Sequence, residues 1–325
     1  MHWISLDFLD VWPWSGSSLT LASKHAVVEY IVVVDRQCLT NCNVYTELVT
    51  TLAEAQPVSA LTVLDGELYL ARSASHNIDV FDVKSFSLRR HMTVTSVQRT
   101  LLAIVSLGRA SGFTITDMTS CRRHHCLYVA ERPGGLVHRL DRRNAKQVTQ
   151  WSVGSTSSVG LSVTSTFNVV VSCCDSRSLH IYTPLGCPVC EINVQWSAVL
   201  GLLHGTQLDC SSFVVIGVTE SGDRLACVYH HDAETAELIE SSGSPACIAV
   251  VGGRAESQVW LAERGASVGV RMVPLAAASA CSAKLTTIEL EAPDKMCWDE
   301  HDKRLYIVDS GRVKVFRVQI EHDMR

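Results

Sequence analysis

Asp299-Glu300-His301-Asp302-Lys303-Arg304-Leu305-Tyr306-Ile307-Val308-Asp309, followed by Arg312-Val313-Lys314-Val315-Phe316, decides the fold. It reads as a polar turn, a short apolar strand, a second turn and a second apolar strand. The phrase returns along the chain. Glu67-Leu68-Tyr69-Leu70-Ala71-Arg72 precedes an apolar run at 78–83, and Leu127-Tyr128-Val129-Ala130-Glu131 precedes one at 136–141. Weaker copies stand at 169–174, 213–217 and 259–263. The marker residues Tyr69, Tyr128, Val171, Val215, Trp260 and Tyr306 are 59, 43, 44, 45 and 46 apart. A period in this range points to a β-propeller, with one four-stranded antiparallel blade per repeat. In such a scaffold function sits in the loops.

Naming the strands of a blade A to D from the hub outward, six blades fall at about 57–94, 113–153, 159–194, 195–241, 245–290 and 293–318. Asp65-Gly66 between two apolar runs is a hairpin signal, because that turn needs positive φ. Arg132-Pro133-Gly134-Gly135 turns B into C in the second blade. The sixth blade lacks a convincing D strand. Residues 43–52 read like the other D strands, so an N-terminal strand is expected to close the ring and remove two exposed sheet edges. The domain reading is a tail or cap at 1–24 and one propeller at 25–325. Residues 26–34 are β-like and expected to pair with the sixth blade. The long first interval holds an insertion at 95–112.

The chain has 325 residues, 47% of them apolar, which suffices for a large core. Its net charge of -5 is unevenly spread: residues 84–150 hold 12 Lys and Arg against 3 Asp and Glu. Such polarity can steer charged partners, although the same arginines also read as solvated turns. The 13 cysteines sit mostly in strand-like runs and show no spaced disulfide framework. An intracellular, reducing compartment such as the cytoplasm is therefore expected. Cys187-Pro188-Val189-Cys190 is a lone CxxC without a second pair of ligands. No run approaches the ~20 apolar residues of a membrane helix, and no membrane contact is expected.

The phrase copies at 127–140 and 299–316 resemble the NHL-repeat family of six-bladed propellers, in particular stand-alone invertebrate NHL-like propellers. The resemblance covers residues 57–318. Asp309 and Arg312 match the family's acid and arginine at the B–C junction, and Glu131 and Arg139 match them in the second blade. Arg72 stands where the first blade should have the acid, with Asn77 in the turn. The resemblance implies binding of protein or RNA, and relatives with the same ring carry metal-dependent hydrolase or lyase sites. Fold analogy does not choose among these.

The residues themselves point first to a non-enzymatic scaffold with a protein partner, and imply no cofactor, no metal and no catalytic residue. The expected contact set is the hub-face B–C loops: His76, Asn77, Arg132, Asp175, Arg177, Glu220, Arg264 and Asp309. The set mixes acids with arginines, which repel a cation. A second reading is a basic patch of Arg89, Arg90, Arg122, Arg123, Arg142 and Arg143 on the opposite face, contacting RNA or another polyanion, or an acidic partner. A hub-site metal-dependent hydrolase or lyase is the third. The pairs His124-His125 and His230-His231 read as turn histidines, because neighbours in a strand point to opposite faces. Tyr69, Tyr128, Tyr306 and Trp260 read as packing between blades.

Overall fold

The computed structural model describes residues 42–52, 56–73, 75–94, 114–142, 147–155, 157, 159–240, 243–251, 258–265, 269–273, 288 and 290–322. The first strand, β1 (Cys42–Leu52), precedes the repeats. Blade 1 comprises β2 (Val58–Leu64), β3 (Glu67–Arg72), β4 (Asn77–Asp82) and β5 (Leu88–Thr93). Blade 2 comprises β6 (Thr114–Cys121), β7 (Cys126–Arg132), β8 (Leu136–Asp141) and β9 (Gln147–Ser152). Blade 3 follows with β10 (Val159–Val163), β11 (Val169–Cys173), β12 (Ser178–Tyr182) and β13 (Pro188–Asn193). Blade 4 holds β14 (Gly201–Gln207), β15 (Ser212–Val218), β16 (Arg224–His230) and β17 (Thr235–Ile239). Blade 5 is described with β18 (Ser244–Val251), β19 (Gln258–Arg264) and β20 (Gly269–Val273). Blade 6 takes β21 (Pro293–Asp299), β22 (Arg304–Asp309) and β23 (Arg312–His322).

Among the described residues these strands form six sheets, and no helix is long and apolar enough to cross a membrane. The A strands β2, β6, β10, β14, β18 and β21 each touch the next, and β21 returns to β2. The protein is therefore an all-β, six-bladed propeller. The sixth sheet has the order β1-β23-β22-β21, so the N-terminal strand supplies its outer member as expected. Pairing runs from Cys42↔His322 to Leu52↔Val313, with one bulge between Leu48 and Thr50. The blade extends past the expected end at residue 318, because β1 offers hydrogen-bond partners as far as His322. The expectations for residues 1–24, 26–34 and 95–112 lie outside the described residues.

The turns form where the backbone chemistry permits them. Asp65 and Gly66 take φ of 49° and 76°, and Ser310 and Gly311 take 51° and 79°, the positive pair that a two-residue hairpin needs. At Gly135, φ is +55° and an added Cβ would lie 1.6 Å from the Ser155 carbonyl oxygen, so only glycine fits this turn. Between each pair of neighbouring blades lies an apolar core. Tyr69 packs with Ile115 and Met118 between blades 1 and 2, and Tyr128 with Val159 and Leu161 between blades 2 and 3. Trp260 and Leu305 meet between blades 5 and 6, and Tyr306 and Leu61 between blades 6 and 1. The repeated aromatic is wholly buried in each case. Burying a large apolar side chain contributes about 1.5–3 kcal/mol, so the repeating phrase encodes the blade-to-blade contact.

Candidate functional site: the central channel and its two rims

The A strands enclose a channel of about 890 Å³ along the hub. A regular strand would show it only alternate side chains. Here a bulge interrupts five of the A strands, and Ser59, Thr116, Leu203, Ala246 and Asp294 are the extra residues. A bulge re-aims the chain, so two consecutive residues can face one side. Thr116 with Asp117, Leu203 with His204, Ala246 with Cys247, and Asp294 with Lys295 all line the channel.

Asp117 ties four blades together. Its carboxylate accepts from Lys295 Nζ of blade 6 at 3.0 Å and from the Leu161 amide of blade 3 at 2.7 Å. His204 Nδ1 of blade 4 lies 3.6 Å away. Burial alone would raise the Asp117 carboxyl, but Lys295 and then His204 outweigh it and hold it well below the usual carboxylate range. Burial likewise would lower the Lys295 ammonium, and Asp117 reverses that, leaving it raised. Burial pushes the Cys247 thiol well above its ordinary value.

One mouth of the channel lies at the end of the ring where the A strands begin and the B–C turns project. Arg264, closing β19, donates to the Pro293 carbonyl at 2.6 Å and to Asp294 Oδ1 at 2.9 Å. Arg224, opening β16, also lines the channel. Of the expected contact residues on this rim, His76, Arg132, Asp175, Arg177 and Glu220 are exposed. Asp175 accepts from Ser155 Oγ at 2.8 Å and Ser157 Oγ at 3.0 Å, and Asn77 accepts from Thr93 Oγ1 at 3.0 Å. Asp309 is buried. It accepts from the Glu291 and Ala292 amides at 2.9 and 2.6 Å and pairs with Lys314 at 2.8 Å, so it holds the turn rather than facing outward.

On the opposite rim the arginines converge on carboxylates. Glu67, whose side chain is 4% exposed, receives both Nη groups of Arg90 at 2.6 and 2.9 Å, Arg142 Nε at 3.0 Å, Arg89 at 3.4 Å and the Tyr69 hydroxyl at 2.6 Å. Burial would raise this carboxyl, but Arg90, Tyr69 and Arg142 carry it down to about 2. Arg89 also pairs with Asp82, and Arg142 with Asp65 at 3.4 Å. Arg122 stands apart on Asp299 at 2.7 Å, Arg123 is exposed, and Arg143 lies outside the described residues. The arginines read as a patch are thus largely matched by acids: Arg89 and Arg90 within blade 1, Arg142 latching blade 2 to blade 1, and Arg122 reaching from blade 2 to blade 6. His125 joins the latch through Asp65 at 2.8 Å, and His124 contacts Cys121 Sγ at 3.2 Å, so the two histidines have separate partners.

Sequence reasoning missed Glu67, Asp117, His204, Lys295 and Arg224. The available signal was a charged or polar residue inside an apolar A-strand run, as at Asp117, His204 and Lys295. Among the described residues no three His, Cys, Asp or Glu side chains gather as metal ligands.

No family model matches the chain, and no curated protein matches it. Solved structures do. A chain of the mitotic checkpoint complex aligns with TM-score 0.57 and 10% identity, covering 92% of this chain and 98% of that one. The WD40 β-propeller domain of Doa1 aligns with TM-score 0.54 and 10% identity over 84% and 97%. Hydrazine synthase of Kuenenia stuttgartiensis aligns with TM-score 0.52 and 16% identity over 82% and 78%. These likenesses concern the fold, and the NHL resemblance rests on the motifs alone.

Proposed function

We propose that the protein is a non-enzymatic interaction scaffold whose B–C rim docks a protein partner. The observation that carries this reading is the division of labour among its polar side chains. The acids within the ring, Asp117, Glu67 and Asp309, are engaged in contacts that join blades or hold turns. His76, Arg132, Asp175, Arg177 and Glu220 stand exposed on consecutive turns of blades 1 to 4, on one face, with Asp175 also accepting from Ser155 and Ser157. Mixed charge on a rigid rim suits recognition of a complementary protein surface. The likeness to a chain from the mitotic checkpoint complex is in keeping with this reading.

The test replaces these five residues with serine in one variant. Affinity capture from source cells, quantified by mass spectrometry, is compared between the two proteins at matched thermal stability. A specific set of proteins is expected to bind the parent and to be lost from the variant. An identical captured set from both would refute the assignment of this rim.

A further inference from the structure

Arg224 is not explained by packing or by the scaffold reading. It opens β16, opposite Val218, and its half-buried side chain reaches the channel lining beside Cys247. A guanidinium presents five N–H donors in a planar fork. Among the described residues no acceptor meets any of those of Arg224. The two other cations lining the channel have acids of their own: Lys295 has Asp117 at 3.0 Å, and Arg122 has Asp299 at 2.7 Å. Of the carboxylates near Arg224 among the described residues, Asp294 is already bound by Arg264 at 2.9 Å, and Glu240, which shares a second, smaller cavity with Arg224, makes no hydrogen bond to it. Burial, and then the positive charge of Arg264, weaken the hold of Arg224 on its proton, and Asp294 offsets only part of this. Its nitrogens remain open to solvent, so the guanidinium is free to take an anionic ligand without first breaking a contact. The space beside it is large enough for a small ligand, and its wall carries neutral hydroxyls such as Ser59, Thr62, Thr116 and Thr119.

We propose that Arg224 anchors a site for a monoanionic carboxylate group at the mouth of the channel, between blades 4, 5 and 6. Charge balance selects the valence. At this mouth the pairs Lys295–Asp117 and Arg264–Asp294 are each neutral, which leaves the positive charge of Arg224, while Glu300, which also lines the channel, stands at its other end. A dianionic phosphate would overcompensate it and face Asp294 and Asp117. The planar fork also matches a carboxylate through two parallel hydrogen bonds. The group can belong to a small organic acid held in the channel or to the free end of a peptide. The inference does not depend on whether the rim docks a protein.

The experiment titrates the full chain with benzoate, N-acetylglycine, N-acetylglycinamide and inorganic phosphate, and with one pentapeptide in its acid and amidated forms. Binding is followed by calorimetry and by thermal shift, in the parent, Arg224→Met and Arg224→Lys. The acids are expected to bind with roughly millimolar or tighter affinity, and the amides and phosphate more weakly. Arg224→Met should weaken the acids by roughly tenfold or more, with Arg224→Lys intermediate. Arg224→Met without ligand should melt no lower than the parent, because it removes an unmatched charge. Tighter binding of the pentapeptide acid assigns the group to a peptide, and tighter binding of benzoate assigns it to a small acid; both support the site. The proposal is overturned if acid and amide bind alike, if phosphate binds more tightly than the acids, if Arg224→Met leaves acid binding unchanged, or if it lowers the melting temperature of the ligand-free protein.

Discussion

Replacing Glu67 with glutamine tests whether the Arg-rich rim is a latch between blades. The substitution keeps the shape and removes the charge that Arg89, Arg90 and Arg142 share. A carboxyl lowered from 4.5 to about 2 on folding corresponds to about 3 kcal/mol by linkage, if fully expressed. The side chains of Arg89 and Arg90 are 47% and 36% exposed, so water screens part of this. The expected loss is about 1–2 kcal/mol, a fall in melting temperature of about 2–4 °C per kcal/mol. The sign of the pH dependence follows from the direction of the shift. The folded-state value lies below the unfolded one, so the stabilisation is complete above 4.5 and fades as pH falls toward 2. The gap between parent and Glu67→Gln, read by urea melts on tryptophan fluorescence, should be widest at neutral pH and narrow below 4.5. A gap that stays constant across that window, or a variant as stable as the parent at neutral pH, would refute the latch. A cycle with Arg142→Met should show coupling, since Arg142 reaches Glu67 from blade 2 at 3.0 Å, whereas Arg90 binds it from within blade 1.

Inside the channel, Lys295→Met should destabilise by about 3 kcal/mol because it strands the Asp117 charge, and the double variant with Asp117→Leu should recover part of the loss in denaturant melts. A chain lacking residues 1–52 leaves β23 as an open edge and should associate on size-exclusion chromatography more than the parent does. Native alkylation at neutral pH, read by peptide mass spectrometry, should label the exposed Cys187, Cys190 and Cys210. It should spare Cys173 and Cys227, whose thiols burial pushes up to about 11 and about 12.

The sequence makes the blade legible because the B–C phrase carries local information. Tyr69, Tyr128, Trp260 and Tyr306 repeat, and each fills a core between neighbouring blades. The Asp65-Gly66 turn and the missing D strand of blade 6 are likewise local signals, and both proved true of the structure. The channel is less legible. Bulges at Thr116, Leu203 and Asp294 set which side chains enter it, and no residue type there announces a bulge. Charge pairing hides for a different reason: Arg122 and Asp299 are 177 residues apart, and Lys295 and Asp117 are 178 apart. Counting arginines along 84–150 therefore found a basic segment, while the acids that match several of them come from 65, 67, 82 and 299.

The zipper between β1 and β23 also bears on how the chain is made. Roughly 260 residues separate the two strands. At about 5–20 residues per second on the ribosome, β1 emerges roughly 13–52 s before its partner exists. Blades 1 to 5 can fold as they appear, since each pairs nearby segments, but the ring can lock only after β23 has been made. Until then β1 waits with its hydrogen-bond edge unpaired, so the nascent chain depends on speed of elongation or on chaperone cover more than the finished protein does.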